Sequence, residues 1–235
     1  MMIIVVNKKV FWYSLLSIVL FFYQIGVCQS MKFAQNKNAI VLKQPKYNSN
    51  VSVEVSILKR RSVRSFANES VSFEDFSQIL WSAYGITDKV RNFHSVPSAG
   101  AIYPLEVFVV VNNVRNIPVG IYKYFPEDHK ILCIKDGDYR KDLFDFSYGQ
   151  MPVKESAFVV IFCANYEKTM ARYRQRGIKY VDIEVGHCGQ NVYLQCVSLG
   201  LGTVAIGAFD ENRVKSMLDL DSKIIPIYLM PVGKI

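Results

Sequence analysis

KYVDIEVGHCGQNVYLQCVSLGLGTVAIG, residues 179–207, decides how the rest of the chain is read. It opens on a titratable pair, Lys179-Tyr180. A mostly apolar segment follows over about 181–199 and ends at Gly200-Leu201-Gly202. Val181, Val185, Cys188, Val192 and Leu199 share one side of a helix, and Ile183, Leu194, Cys196 and Val197 fall on others. A helix that is apolar nearly all round is a buried one. At about 1.5 Å per residue it crosses a small domain. Gly200 suits the left-handed position that ends such a helix. The expectation is a central helix that delivers a Lys-Tyr pair and a glycine turn to one active site.

Outward from this stretch, the pattern alternates between two periods. Leu105–Val111 and 157–164 (AFVVIFCA) are β-branched, apolar runs that read as central strands. Residues 119–125 and 130–134 flank Pro126-Glu127-Asp128, a hairpin turn. A last strand is expected over 224–230. Val53, Ile57 and Leu58 suggest a first helix running into Arg60–Arg64. Ser72 is an N-cap for a second, with Phe73, Phe76, Ile79, Leu80 and Ala83 at helical spacing and Gly85 closing it. Short helices are expected at 139–146 and 211–218. Helices and strands mix without strict alternation, so the class is α+β rather than a doubly wound sheet.

The chain has 235 residues, 51% hydrophobic and 20% charged, enough for one domain with a sizeable core. Residues 1–28 stand apart. Lys8-Lys9 precede an apolar run, 10–27, which Cys28-Gln29-Ser30 breaks. That is the layout of a signal peptide cleaved after Cys28, directing export to the periplasm or cell envelope. An uncleaved N-terminal anchor, or lipidation of Cys28, are the alternatives that would tie the chain to a membrane. Residues 29–50 are polar and aperiodic, a linker or arm, and the folded domain spans 51–235. The formal charge of +8 is spread along the chain without a basic arm or finger spacing, so nucleic acid is not expected as a partner. A small anion such as a phosphate fits it better. The five cysteines have no CxxC or metal-ligand spacing, and no metal is expected.

Four places could carry chemistry. Arg60, Ser62 and Arg64, with Arg61 between, offer guanidinium forks and a hydroxyl suited to a phosphate, with 60 and 64 on one face if the segment is helical. Pro97, Ser98, Ala99 and Gly100 are small enough for backbone to approach a flat ligand. Gly200, Leu201 and Gly202 could do the same, although a GxG alone also reads as a helix stop. Lys179-Tyr180 could hold or move a proton if the lysine is partly removed from water. Neither a Rossmann nor a P-loop fingerprint is present.

Together, RRSVR at 60–64, PSAGAIYPLEVFVVV at 97–111, GHCGQNVYLQCVSLGLGTVAIGAF at 186–209 and PVGK at 231–234 resemble the nitroreductase family of flavoproteins, in its branch of SagB/ThcOx-type dehydrogenases. The resemblance implies a nitroreductase-like α+β fold: a central, mostly antiparallel sheet flanked by helices, with the long helix buried at the interface of a homodimer. It implies FMN as cofactor. Arg60, Ser62 and Arg64 would hold the phosphate and ribityl chain, Pro97–Gly100 and Gly200–Gly202 would lie along the ring, and Lys234 would reach the phosphate. Lys179 and Tyr180 would serve proton transfer as an azoline-like substrate, small or peptide-bound, passes a hydride to flavin. An NAD(P)H-dependent nitro or quinone reductase, and a non-catalytic flavin- or partner-binding envelope protein, are the competing readings.

Overall fold

Runs of β-branched residues build the centre of the molecule. The computed structural model describes residues 39–235; the signal peptide expected over 1–28 and the first part of the expected arm lie outside the described residues. In chain order the elements are β1 (Ala39–Val41), α1 (Val53–Lys59), α2 (Phe73–Tyr84), β2 (Ile86–Asp88), β3 (Phe93–His94), a 3₁₀ turn (Ala99–Ala101), β4 (Leu105–Val111), β5 (Gly120–Phe125), β6 (Lys130–Asp136), α3 (Arg140–Phe146), α4 (Met151–Glu155), β7 (Phe158–Asn165), α5 (Tyr166–Tyr173), α6 (Arg176–Leu199), β8 (Leu201–Thr203), α7 (Glu211–Met217) and β9 (Ile224–Lys234).

Seven strands form one sheet in the order β1-β6-β5-β4-β7-β9-β8. The β4–β5, β5–β6, β4–β7, β7–β9 and β8–β9 ladders are all antiparallel. Successive side chains of a strand point to opposite faces, and both faces are covered. Val107, Val109 and Val111 of β4 and Phe158, Val160 and Phe162 of β7 meet Phe76, Ile79 and Leu80 of α2 and Val181, Val185, Cys188 and Val192 of α6. Phe108, Val110, Val159 and Ile161 point the other way, onto Leu143, Val153, Val214 and Met217 of the short helices. The layers are helix, sheet, helix: an α+β architecture around a mostly antiparallel sheet.

Two expectations change. Part of the arm expected over 29–50 belongs to the fold. Leu42 is buried, its N–H donates to the His129 carbonyl at 3.0 Å, and the N–H groups of Lys43 and Lys46 donate to Ser77 Oγ and Gln78 Oε1. The segment has no periodicity because its hydrogen bonds go to α2 and to the β5–β6 turn rather than to itself. Second, α1 does not run on into Arg60–Arg64. Arg60 has ψ 124°, and the Arg61 guanidinium caps the helix end by donating to the carbonyls of Leu58 and Arg60. Residues 60–66 continue with no helix and without a long strand.

Candidate active site

Helix α6 carries the site. It has 24 residues, and its left-handed end at Gly200 (φ 66°, ψ 32°) is the one the sequence predicts. Its burial is one-sided within the chain. Gly177, Val181, Glu184, Val185, Cys188, Gly189, Val192 and Cys196 face inward, while Lys179, Asp182, Ile183, Gly186, His187 and Gln190 are exposed. The helix expected to be buried all round therefore leaves an apolar-to-polar face uncovered by its own chain.

At the C-terminal end of α6 lies the cationic segment. Because the backbone of 60–64 is not helical, alternate residues share a side. Arg60 stacks on the Tyr193 ring at 5.0 Å, and Ser62 Oγ is 3.0 Å from the Tyr193 hydroxyl. Tyr193 is fixed in turn by the Ala205 N–H, which donates to its oxygen at 2.8 Å. With that hydroxyl donating to Ser62, the serine keeps its own hydrogen for an anion. Among the described residues neither Arg60 nor Arg64 has a carboxylate within ion-pair distance. Val63 faces the opposite way: its N–H donates to the Thr203 carbonyl, and a Cβ on Gly202 would lie 2.8 Å from its Cγ1.

The glycine turn thus divides. Leu201 is buried in the core, and Gly202 is a glycine because Val63 and Ile235 close over it. Of the three residues expected along a flat ligand, only Gly200 has open space where a side chain would stand. Lys234 ends β9. Its carbonyl accepts from the Ala67 N–H, and its Nζ lies 3.8 Å from Asp75 Oδ2. A cavity of about 570 Å³ opens here, lined by Arg61, Val63, Tyr193, Gly200, Leu201 and Ile235 among others.

The Pro97–Gly100 loop meets α6 elsewhere. Ser98 stands beside Glu184, a carboxyl only 2% exposed, and Tyr84 donates to that carboxyl at 2.9 Å. Burial pushes the Glu184 carboxyl above its ordinary range, against the opposing pull of the Tyr84 and Ser98 hydroxyls. Gly100 takes φ 64°, and a Cβ there would lie 2.7 Å from the Tyr173 hydroxyl. Tyr173 packs edge-on to Tyr180 at 5.2 Å, so one aromatic ring separates the loop from the Lys179-Tyr180 pair. Lys179 is exposed.

The structure therefore gathers the candidates into two groups, not one. Glu184 and Tyr193 are nine positions apart, and at 3.6 residues per turn they point to opposite sides of α6. Lys179 and Gly200 are about 30 Å apart along it. Arg60 and Ser62 come together at Tyr193, about two turns from Gly200, with Arg64 exposed two residues further along the same segment; Pro97–Gly100 come together with Tyr173, Tyr180 and Glu184. Tyr193 and Glu184 are the residues that the sequence reading left out. The spacing contained Glu184: positions 181, 184, 185, 188 and 192 share one side of a helix, so an acid at 184 is turned inward.

The donor set at the first group suits a phosphate monoester: two guanidiniums with no carboxylate partner among the described residues, and a positioned hydroxyl. The second offers a loop whose backbone can approach a ring. Both fit FMN, whose phosphate and isoalloxazine sit at opposite ends of the molecule. Among the described residues no His, Cys, Asp and Glu cluster could hold a metal ion, and no helix is long and apolar enough to cross a membrane.

Comparison with known proteins bears on the same stretch. The profile described as the nitroreductase family matches residues 57–234. A candidate nitroreductase of Methanocaldococcus jannaschii, MJ1384, is 45% identical over 184 residues, 78% of this chain and 91% of that protein. The microcin B17-processing protein McbC of Escherichia coli is 24% identical over 80% of this chain and 73% of its own. Among solved structures, a candidate nitroreductase from Anabaena variabilis superposes with TM-score 0.74 at 26% identity, covering 83% of this chain and 41% of that one. The E. coli microcin synthetase McbBCD, solved with truncated pro-MccB17 bound, gives TM-score 0.65 at 23% identity, over 83% and 78%.

Proposed function

The chain belongs to the nitroreductase family, in its SagB-type dehydrogenase branch, and on that premise we propose that it is an FMN-dependent enzyme built as a homodimer. That it is an oxidoreductase follows from the family. The observation that carries the rest is the division of the candidate residues between opposite sides and opposite ends of α6. Within one chain the two groups stand on opposite sides of α6. Two copies laid antiparallel along the exposed face of α6 would bring the cationic segment of each to the Pro97–Gly100 loop of the other. Gly186, near the middle of the helix, has no atom within 4 Å of where its Cβ would be, which leaves room for a close helix approach.

In this reading Arg60, Ser62 and Arg64 hold the phosphate, with Tyr193 orienting the first two. Gly200 leaves the backbone open beside them. Pro97–Gly100 of the partner subunit lie along the ring. When bound, FMN supplies acceptance of a hydride. Lys179 and Tyr180 then take the proton that leaves the substrate, and Tyr173 keeps the pair beside the loop. The substrate class proposed is an azoline-like ring, carried on a peptide, since relatives are a microcin-processing protein and trifolitoxin operon proteins. A proton acceptor is what such an oxidation requires in addition to flavin.

The test is the purified full chain. It should run as a dimer, be yellow and carry one FMN per chain. A colourless protein that takes up no FMN when titrated overturns the reading. Anaerobic bleaching by NAD(P)H, with no oxidation of azoline peptides, would move the substrate from azolines to nitro compounds or quinones.

A further inference from the structure

One ionisable group in the structure is used by none of these roles. Glu184 lies on the inward side of α6 at 2% exposure, with Val181, Val185 and Cys188 around it. Replacing a buried, hydrogen-bonded carboxyl by an apolar residue of similar volume is often neutral or stabilising. Stability alone therefore does not account for a carboxyl at this position. Its contacts show what it does. It accepts from the Tyr84 hydroxyl at 2.9 Å, and the Ser98 hydroxyl stands beside it. Each of those hydroxyls is itself held by backbone. The Leu105 N–H donates to the Tyr84 oxygen at 3.4 Å, and the Tyr103 N–H donates to Ser98 Oγ at 2.9 Å. One carboxyl thus joins the end of α2, the 97–103 loop and the start of β4.

The loop it joins is strained. Gly100, Ala101 and Tyr103 have φ of 64°, 53° and 51°. The Cβ of Ala or Tyr disfavours the left-handed region, and such residues persist only where the surroundings over-determine them. The supports are visible. His94 is buried, its Nδ1 is 2.9 Å from the Tyr84 carbonyl oxygen, and its ring stacks on Tyr103 at 4.0 Å. Tyr103 meets Tyr84 edge-on at 6.3 Å.

We propose that Glu184 is a positioning residue: through Ser98 and Tyr84 it holds the 97–103 loop in the strained form that presents its backbone to the flavin. The last clause rests on the flavin reading above; the hold on the loop does not. The groups facing the carboxyl are Tyr84 from α2, Ser98 from the loop and Cys188 one turn along its own helix, with His94 and Tyr103 behind them. None is a cation that would offset the burial pushing the carboxyl above its ordinary range.

The experiment compares Glu184→Leu, Glu184→Gln and Ser98→Ala in the full chain. Amide hydrogen exchange is read without flavin, and FMN is then titrated. In Glu184→Leu, exchange over 98–103 should rise about tenfold, the scale of one buried hydrogen bond lost, while β4 and β7 keep wild-type protection. FMN affinity should fall by a similar factor, and the shape of the bound flavin's visible band should change. Glu184→Gln keeps one acceptor and should recover most of both effects. Ser98→Ala also removes the acceptor of the Tyr103 N–H and should loosen the loop in its own right. Unchanged exchange over 98–103 in a folded Glu184→Leu protein overturns the proposal. If Glu184→Leu does not fold, Ser98→Ala and Tyr84→Phe must each loosen the loop, and wild-type exchange in both overturns it. If the wild-type chain takes up no FMN, the functional reading fails while hydrogen exchange still decides the role of Glu184.

Discussion

The two ends of α6 differ in kind. At the C-terminal end, Arg60 lies over an aromatic face and Arg64 is exposed on the same segment, both, among the described residues, without a carboxylate partner. At the N-terminal end, Glu184 and Tyr84 are buried and hydrogen-bonded to one another, with Ser98 half-buried beside them. An exposed cationic group attracts an anion and gives it up to salt. A buried hydrogen-bonded group attracts nothing but holds geometry. The first end has the physics of affinity, and the second that of alignment. Catalysis needs both in one place, which is why the separation along a single helix points to a second copy of the chain.

The comparison breaks first at Lys179. If the N-terminal end is where protons move, Lys179→Ala should lower the rate of substrate oxidation about 10²–10⁴-fold, the usual contribution of a general acid or base. FMN affinity should be unchanged, because the phosphate lies at the other end. A loss of FMN in step with activity would erase the distinction between the ends. The reciprocal test is Arg60→Ala with Arg64→Ala. A charge-assisted bond to phosphate contributes enough for roughly tenfold in affinity, so the double variant should bind FMN about a hundredfold more weakly. Riboflavin, which lacks the phosphate, should bind wild type and variant alike. Equal losses for the two ligands would show that the arginines do not read the phosphate.

How much of this is legible in the sequence also differs between the ends. The sheet is, because runs such as Leu105–Val111 and 157–164 are so rich in β-branched residues that only their boundaries move, by a residue or so. Helix α6 and its stop at Gly200 are, because a left-handed glycine after an apolar run has few other uses. Helix α5 is not. Its sequence, YEKTMARY, is mostly polar, and what holds it is tertiary: Gly177 lies against the backbone of Met170, and Tyr166 donates to Asp182 at 2.7 Å. The course of 60–66 is hidden for a related reason. Arg60 and Arg64 have good helix propensity, but the strand edge at Thr203 takes the Val63 N–H and draws the chain out. The motif residues can be picked out as a set, while their partition between two sides of a helix depends on which face is buried.

Gly202 sharpens the comparison at the level of packing. A methyl group there would stand 2.5 Å from the Ile235 side chain and 2.8 Å from Val63 Cγ1. Gly202→Ala should therefore destabilise the fold by about 1–3 kcal/mol through overpacking, read as a lower midpoint in urea. Because Val63 adjoins Ser62, the same variant should weaken FMN. Should Gly202→Ala weaken FMN with no change in stability, the glycine would be facing the ligand rather than the chain.

The smallest effect is a slope. The Glu184 carboxyl has a folded-state pKa raised above its ordinary value of 4.5, chiefly by burial. A folded protein that holds a proton the unfolded chain has released gains protons on folding, so its stability falls as pH rises. The contribution of Glu184 is fully present below pH 4.5 and is lost as pH climbs from there through the raised pKa. The amide introduced by Glu184→Gln cannot ionise and adds no such dependence. The stability difference between Glu184→Gln and wild type, measured by urea unfolding at a series of pH values, should be flat below about pH 4.5 and should then move in favour of the variant, levelling once the folded-state carboxyl has ionised. The arginine end supplies the control: Arg60→Ala, on the other side of the helix, should leave the slope as it is. A Glu184→Gln difference that is independent of pH would mean the carboxyl ionises equally in both states, and the N-terminal end of α6 would then be as open to water as the other.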